Sequence, residues 1–401
     1  MNGLTGPVAS LNTAWFAVLG LLWTGYFVLE GFDFGVGMLS LAIGRDDVDR
    51  RLARNAIGPV WDGNEVWLIV AGGATFAAFP LWYASMFSGF YFVLFIILAA
   101  LIVRGVSFEF RGKRDSRRWR SGWDRAMFAG SLLPAFLWGV AFTDLVHGLS
   151  LSPSGLYQGG FWKLLTPASV VGGLASLAMF LAHGGTFLSL KTSGPLAARA
   201  RKLATWMSPL AGALVAGTAA WLAASGSHGT GAVGGTVPIV LTAVCALAFA
   251  LSGMLVRRGR DGSAFMLSAL GIVAVVAAIF TALYPRVMVS SGPGPSLTVW
   301  NAASANESLV VMTIVAAIFV PLVLLYQGWS YWVFRQRLTR PVARPGPGQP
   351  GQPGQSGQYE RPAGPATSGP SPGSGSGAPG VVPPAAARWA ARHAPSPRPR
   401  R

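Results

Sequence analysis

Nine stretches of this chain stay apolar for the ~20 residues that a helix needs to cross a bilayer. They lie at roughly 12–43, 60–80, 85–110, 123–147, 164–190, 203–225, 237–256, 264–284 and 308–334. Hydrophobic residues make up 52% of the 401 positions and charged residues only 11%, against about 25% charged in a soluble domain. The fold class this implies is an all-α polytopic membrane protein with nine transmembrane helices. The first segment is too long for a cleavable signal peptide and has no basic region before it, so it is expected to act as the insertion signal itself. The single cysteine, Cys245, excludes a disulfide framework and a thiolate metal site, and reads as a small buried apolar residue.

A net charge of +17 would suit a nucleic-acid binder, but the placement of the cations argues for topology instead. Basic clusters follow every odd-numbered segment: Arg45, Arg50, Arg51 and Arg54; Arg111, Lys113, Arg114, Arg117, Arg118 and Arg120; Lys191, Arg199, Arg201 and Lys202; Arg257, Arg258 and Arg260; Arg335, Arg337 and Arg340. The alternate loops carry only Lys163 and Arg286. By the positive-inside rule the N-terminus lies outside and the C-terminus in the cytoplasm.

Beyond Pro341 the composition turns to Pro, Gly, Gln and Ser, with the near-repeat GPGQPGQPGQSGQ and a basic end. Residues 341–401 therefore read as a disordered cytoplasmic tail, unable to bury enough apolar surface to offset its ordering entropy, and free to brush anionic lipid headgroups. The organisation expected is a membrane domain over 1–340 followed by this tail. Within the membrane domain, residues 1–150, the first four helices, hold Glu30, Asp33, Asp62, Glu65, Glu109, Asp124 and Asp144. Residues 164–284, helices five to eight, hold none within their spans and are rich in Gly, Ala and Ser, which suits close packing in lipid. Residues 308–334 form a ninth helix.

Carboxylates at bilayer depth are costly and usually face a protein interior or a water-filled path. LEGFDFGVG puts Glu30 and Asp33 three apart, and GPVWDGNEVWL does the same with Asp62 and Glu65, so each pair shares a helix face. Given the topology, these four and Glu109, with Arg104, Arg111 and Lys113 nearby, are expected in the inner half of one bundle. Such a set can form a proton entry path, each group being neutral part of the time. The competing reading has the acids capping helix ends and bonding to backbone exposed by Gly31, Gly35, Gly37, Gly58 and Gly63. A haem is not expected in this chain, because His147, His183, His228 and His393 give no pair at matched depth. His183 is the one candidate axial ligand, and a hydrogen-bonded packing role suits it better. No phosphate-binding loop is present, and no metal site is expected.

The runs GFDFGVGMLSLAIGRDD, RRLARNAIGPVWDGNEVWLIVAGGATFAAFPLWYASMFSGFY, RGVSFEFRGK, GSLLPAFLWGVAF, GFWKLLTP, YPRVMVSS and SLTVWNAAS resemble, in that order and across about residues 12–334, subunit II of the cytochrome bd-type quinol oxidases. The resemblance implies two four-helix bundles plus a peripheral helix, in the cytoplasmic membrane of a bacterium. It implies a haem-bearing partner, subunit I, which carries the b-type and d-type haems and oxidises quinol, with a small accessory subunit and membrane lipid as further neighbours. It also implies that Asp62, Glu109 and Lys113 lie on a path bringing cytoplasmic protons to the oxygen-reduction site; the spacing of the acids read above adds Glu65, Asp33 and Glu30 as further members. The sequence departs from the family pattern at VMVSS, where a proline more usually follows the methionine, and in its long tail. A second reading, a proton- or cation-coupled secondary transporter, would also use intramembrane acids in Gly-broken helices, but both halves should then contribute, and here the acids sit in one.

Overall fold

The computed structural model describes residues 7–225 and 235–340; the tail expected over 341–401 lies outside them. Eleven helices account for most of the described chain: α1 (Pro7–Ala42), α2 (Asp47–Ile57), α3 (Trp61–Ala78), α4 (Pro80–Gly89), α5 (Tyr91–Phe110), α6 (Arg117–His147), α7 (Pro167–Lys191), α8 (Gly194–Ala224), α9 (Thr236–Arg257), α10 (Asp261–Leu283) and α11 (Asn306–Val333). Eight of these, α1 and α5 to α11, are long and apolar enough to cross a membrane. The region expected as the second span, 60–80, is the 18-residue α3, whose first turn, Trp61 to Asn64 with Glu65 following, is too polar to meet that measure.

Local chemistry sets the helix ends. Pro80 opens α4 at a position where a missing N–H costs nothing, which separates it from α3. Thr166 caps α7, its hydroxyl accepting from the Ser169 N–H at 3.1 Å, with Pro167 next in line. Asp46 caps α2 by accepting from the Asp49 N–H at 2.8 Å. The α2 helix is amphipathic: Leu52, Ala53, Ala56 and Ile57 are buried while the intervening arginines face outward or pair.

Helix α1 sits at the centre, packed on α3, α6, α7 and α10; α5 packs on α6, α6 on α7, α7 on α8 and α10, and α8 and α10 both on α9. Where α1 crosses α7, backbone meets backbone. A side chain at Gly35 would strike the Phe180 carbonyl oxygen, and one at Gly184 would strike the Gly35 Cα. Small residues at a crossing allow the short interaxial distance on which packing in lipid depends. Helix α11 stands apart, touching α1 and α3, with 6% of its apolar window buried, whereas the other spans have between 33% and 67% buried.

One end of the molecule is bound by charge. Asp124 of α6 receives Arg50 at 3.3 Å, Arg54 at 3.1 Å and Arg111 at 2.6 Å, and Arg111 also reaches Asp47 at 2.5 Å. Asp49, buried, is shared by Arg199 of α8 and Arg340, the latter at 2.8 Å; Asp261, also buried, is shared by Arg201 at 2.7 Å and Arg337 at 3.4 Å. The segment after α11 thereby straps back across the α7–α8 turn, and the Leu338 N–H donates to the Lys191 carbonyl at 2.8 Å. At the other end the only sheet among the described residues, β1 (Arg286–Met288) antiparallel to β2 (Leu297–Thr298), packs beside the loop after α6, the Leu149 N–H donating to the Val289 carbonyl at 2.9 Å.

Candidate functional site

Glu30 and Asp33 lie one turn apart on α1, both fully buried. Helix α5 supplies Arg104, also fully buried, which ion-pairs with Glu30 and stands 3.7 Å from the Glu65 carboxylate of α3. Its approach depends on Gly130 of α6, where a Cβ would come within 2.6 Å of the Ala100 carbonyl and 2.8 Å of the Arg104 Cβ. The Phe34 ring lies 5.1 Å from the guanidinium, an additional attraction for a cation out of water. Below Glu30 on α1, the Tyr26 hydroxyl accepts from the Trp138 indole N–H at 3.2 Å.

Asp33 is held differently. Its Oδ2 accepts from the Asn64 side-chain nitrogen at 2.7 Å, while its Oδ1, buried as well, has no hydrogen-bond partner among the described residues. Three carboxyls, Glu30, Asp33 and Glu65, thus face one guanidinium. An ion pair buried without balance is costly, so a cluster with more carboxyls than cations is suited to carrying protons.

The six acids and bases picked out in the sequence separate by depth. Glu30 and Asp33 are buried, and Glu65 is partly exposed, with 22% of its side chain accessible. Asp62, Glu109 and Lys113 are on the surface of the chain and outside the buried cluster. The α3 face nonetheless connects the two groups: Asp62 lies on the surface, Glu65 one turn on is at the rim, and Arg104 with Glu30 lies inside. Stacking of Trp61 on Phe108, with ring centroids 4.6 Å apart and planes within 6°, fixes the start of α3 to the end of α5, the segment that bears Glu109.

Arg104 and Asn64 are the residues that sequence reading undervalued. Arg104 reads there only as a neighbour of Glu109, although it is a lone cation among Leu, Ile and Val, and that isolation is itself a signal of a buried partner. Asn64 is hidden by the acids on either side of it. The Asp124 cluster also escapes a linear reading, since its arginines come from two segments, α2 and the turn after α5, both remote from α6.

Both ring nitrogens of His183 are engaged, Nδ1 with the Ser268 hydroxyl at 2.7 Å and Nε2 with the Val28 carbonyl at 3.0 Å, and its ring stacks on Phe265 at 4.7 Å. Ligating a haem iron would break one of these buried bonds, so the surroundings of His183 do not fit the group. His228 and His393 lie outside the described residues. No group of three or more His, Cys, Asp or Glu among the described residues is placed to hold a metal ion.

Residues 11–334 match the family model described as cytochrome bd terminal oxidase subunit II. The chain is 42% identical over 334 residues to the cytochrome bd ubiquinol oxidase subunit 2 of Bacillus subtilis, covering 83% of this chain and 98% of that protein. It is 37% identical over 362 residues to the cytochrome bd-I ubiquinol oxidase subunit 2 of Escherichia coli K12, covering 82% and 96%. Among solved structures, a chain of the bd oxidase of Geobacillus thermodenitrificans superposes with a TM-score of 0.67 at 18% identity, covering 81% of this chain and 97% of that one.

Proposed function

The chain belongs to the cytochrome bd terminal oxidase subunit II family, and from that premise we propose that it is the subunit without haem of a respiratory quinol:oxygen oxidoreductase, stabilising the haem-bearing subunit I and conducting cytoplasmic protons toward it. The observation that carries this reading is the graded burial from Asp62 through Glu65 to the Arg104–Glu30 pair, with Asp33 beside it. A proton entering at the surface meets groups that are successively deeper and within one helical turn or one ion pair of each other. Glu109 and Lys113, at the charged end of α5, form the entrance.

The orientation proposed has the charged end in the cytoplasm. Support comes from the gathering there of the basic clusters around α2, the α5–α6 turn, the α7–α8 turn and the strap, joined through Asp47, Asp49, Asp124 and Asp261. In this reading the polar start of α3 enters from the cytoplasmic side as the second of nine spans. Helices α1, α3, α5 and α6 form one bundle, α7 to α10 a second, and α11 the peripheral ninth.

Assembly follows from the same face. A charged group at bilayer depth costs a few kcal/mol or more if it meets lipid, and Asp62 points away from its own bundle. Along α3, a Cβ added at Gly63, Gly72 or Gly73 would meet nothing within 4 Å, so the outer side of the helix is open. Subunit I covering this face would give Asp62 a polar neighbour and keep its charge out of lipid. In the complex, the b-type and d-type haems of the partner supply the redox chemistry, and quinol is the reductant; this chain alone is proposed to be inactive.

Asp62→Asn keeps the side-chain volume but removes the titrating group. We expect quinol-driven oxygen uptake by the purified heterodimer to fall about a hundredfold or more, the scale of a lost proton-transfer group, with the haem spectrum unchanged and part of the rate restored in Asp62→Glu. Full turnover of the Asn variant would remove Asp62 from any obligatory path, and loss of haem together with activity would assign it a structural role.

A further inference from the structure

The Asn64 side chain is hydrogen-bonded to capacity. An amide has two donors and two acceptor lone pairs, and here the nitrogen donates to Asp33 Oδ2 at 2.7 Å and to the Leu29 carbonyl at 3.3 Å. Its oxygen accepts from the Tyr331 hydroxyl at 2.8 Å and from Gln327 Nε2 at 3.0 Å. Gln327 is in turn oriented by the Trp67 indole N–H, which donates to its Oε1 at 3.1 Å. Tyr331 and Gln327 lie one turn apart on α11, the helix with the least burial among the spans. Two donors from that helix therefore fix which way the amide of Asn64 points.

The alternative orientation is electrostatically poor on both sides. Rotated by half a turn about its last bond, Asn64 would present its carbonyl oxygen to a carboxylate oxygen and its NH2 to the NH2 of Gln327, which cannot accept. While α11 is docked, the nitrogen must face Asp33. Without Tyr331 and Gln327, nothing on the far side of the amide selects between the two orientations. We infer that α11 acts at a distance on the buried acid: Tyr331 and Gln327 are positioning residues that hold Asn64 as a donor to Asp33. The role of Asp33 in proton conduction rests on the function proposed above; the clamp itself does not.

The groups facing Asp33 are Glu30 on its own helix, Asn64 and Glu65 from α3, Arg104 from α5 and Tyr331 from α11. A change in its hydrogen bonding is therefore to be read at Asp33 directly. The test uses the purified heterodimer and infrared difference spectroscopy. The carboxyl stretching band of Asp33 is assigned by its loss in Asp33→Asn, and oxygen uptake and the haem spectrum are recorded alongside.

In the double variant Tyr331→Phe with Gln327→Leu, the Asp33 band is expected to shift and uptake to fall about tenfold, the equivalent of one to two lost hydrogen bonds, with haem retained. Each single variant leaves one donor in place and is expected to give a smaller shift, which keeps the test usable if the double variant assembles poorly. Thr313→Val is the control: Thr313 accepts the Trp15 indole N–H at 3.0 Å and helps to dock the same helix, far from Asn64. It is expected to leave the Asp33 band in place. An unmoved band in the single and double variants, or an equal shift in Thr313→Val, overturns the inference. If Asp33→Asn itself turns over at the full rate, the proton-path reading fails at this residue, and a shifted band still upholds the clamp.

Discussion

Arg104 is fully buried, and its charge is met by Glu30 and, more distantly, Glu65. Removing one partner of a buried pair is far more damaging than removing both, at about 3–5 kcal/mol. Arg104→Gln is accordingly expected to lower the yield and melting temperature of the heterodimer strongly, as followed by thermal unfolding of the detergent-solubilised complex. Arg104→Gln combined with Glu30→Gln is expected to recover much of that loss, and a double variant no better than the single would mean that the pair is not the source. At this scale the sequence reading went about halfway. The price of charge in lipid picked out Glu30, Asp33, Asp62, Glu65 and Glu109, and spacing put them on shared faces. It could not tell that Asp62 turns outward while Glu65 turns inward, because a helix with apolar residues all round leaves no polar stripe from which to read direction.

Among the elements, α2 adds to its buried apolar face a set of ion pairs through Asp47 and Asp49. Burial pushes the Asp47 carboxyl up, but its hydrogen bond from Arg111 and the charges of Arg111, Arg120 and Arg51 outweigh this and hold it below the ordinary carboxylate range. The Asp49 backbone N–H, and after it the Arg340 guanidinium, hold Asp46 down in the same sense. A carboxylate whose pKa is lower folded than unfolded contributes stability that is present above the unfolded value, near about 3.9, and lost as pH falls through the folded one. Asp47→Asn is therefore expected to lower the melting temperature at neutral pH, and the gap to the unaltered protein to close as the pH is taken below about 4. A gap independent of pH would show that Asp47 acts through packing instead of charge. The existence of most spans was legible from apolar length alone, and basic clusters after alternate segments foreshadowed the charged end. What escaped was α2 itself, which is too short and too polar to register as a span, and the separation of α4 from α5, which turns on a Gly89–Phe90 break that composition does not mark.

For the molecule as a whole, the Gly/Ala/Ser-rich second half meets the acid-bearing half along α6–α7 and α1–α10 and, most tightly, at the crossing of Gly35 and Gly184. The histidine surroundings described above lead to a further expected outcome. This chain expressed without its partner should bind no stoichiometric haem, as judged by pyridine haemochrome analysis of the purified chain, and a tightly held haem lost in His183→Ala would contradict this. The strap after α11 carries a consequence for how the chain is made. A ribosome delivers residues in order, and Asp261 emerges 60 residues after Arg201, so a counter-ion is already waiting when α10 inserts. Asp49 has no such provision: Arg199 follows it by 150 residues and Arg340 by 291. During synthesis the α2 segment therefore stays at the watery face of the membrane, Asp49 accepting from the Arg45 backbone N–H but without a counter-ion, until α8 arrives to fasten it, and the last residues of the strap complete a closure that the earlier helices have left open.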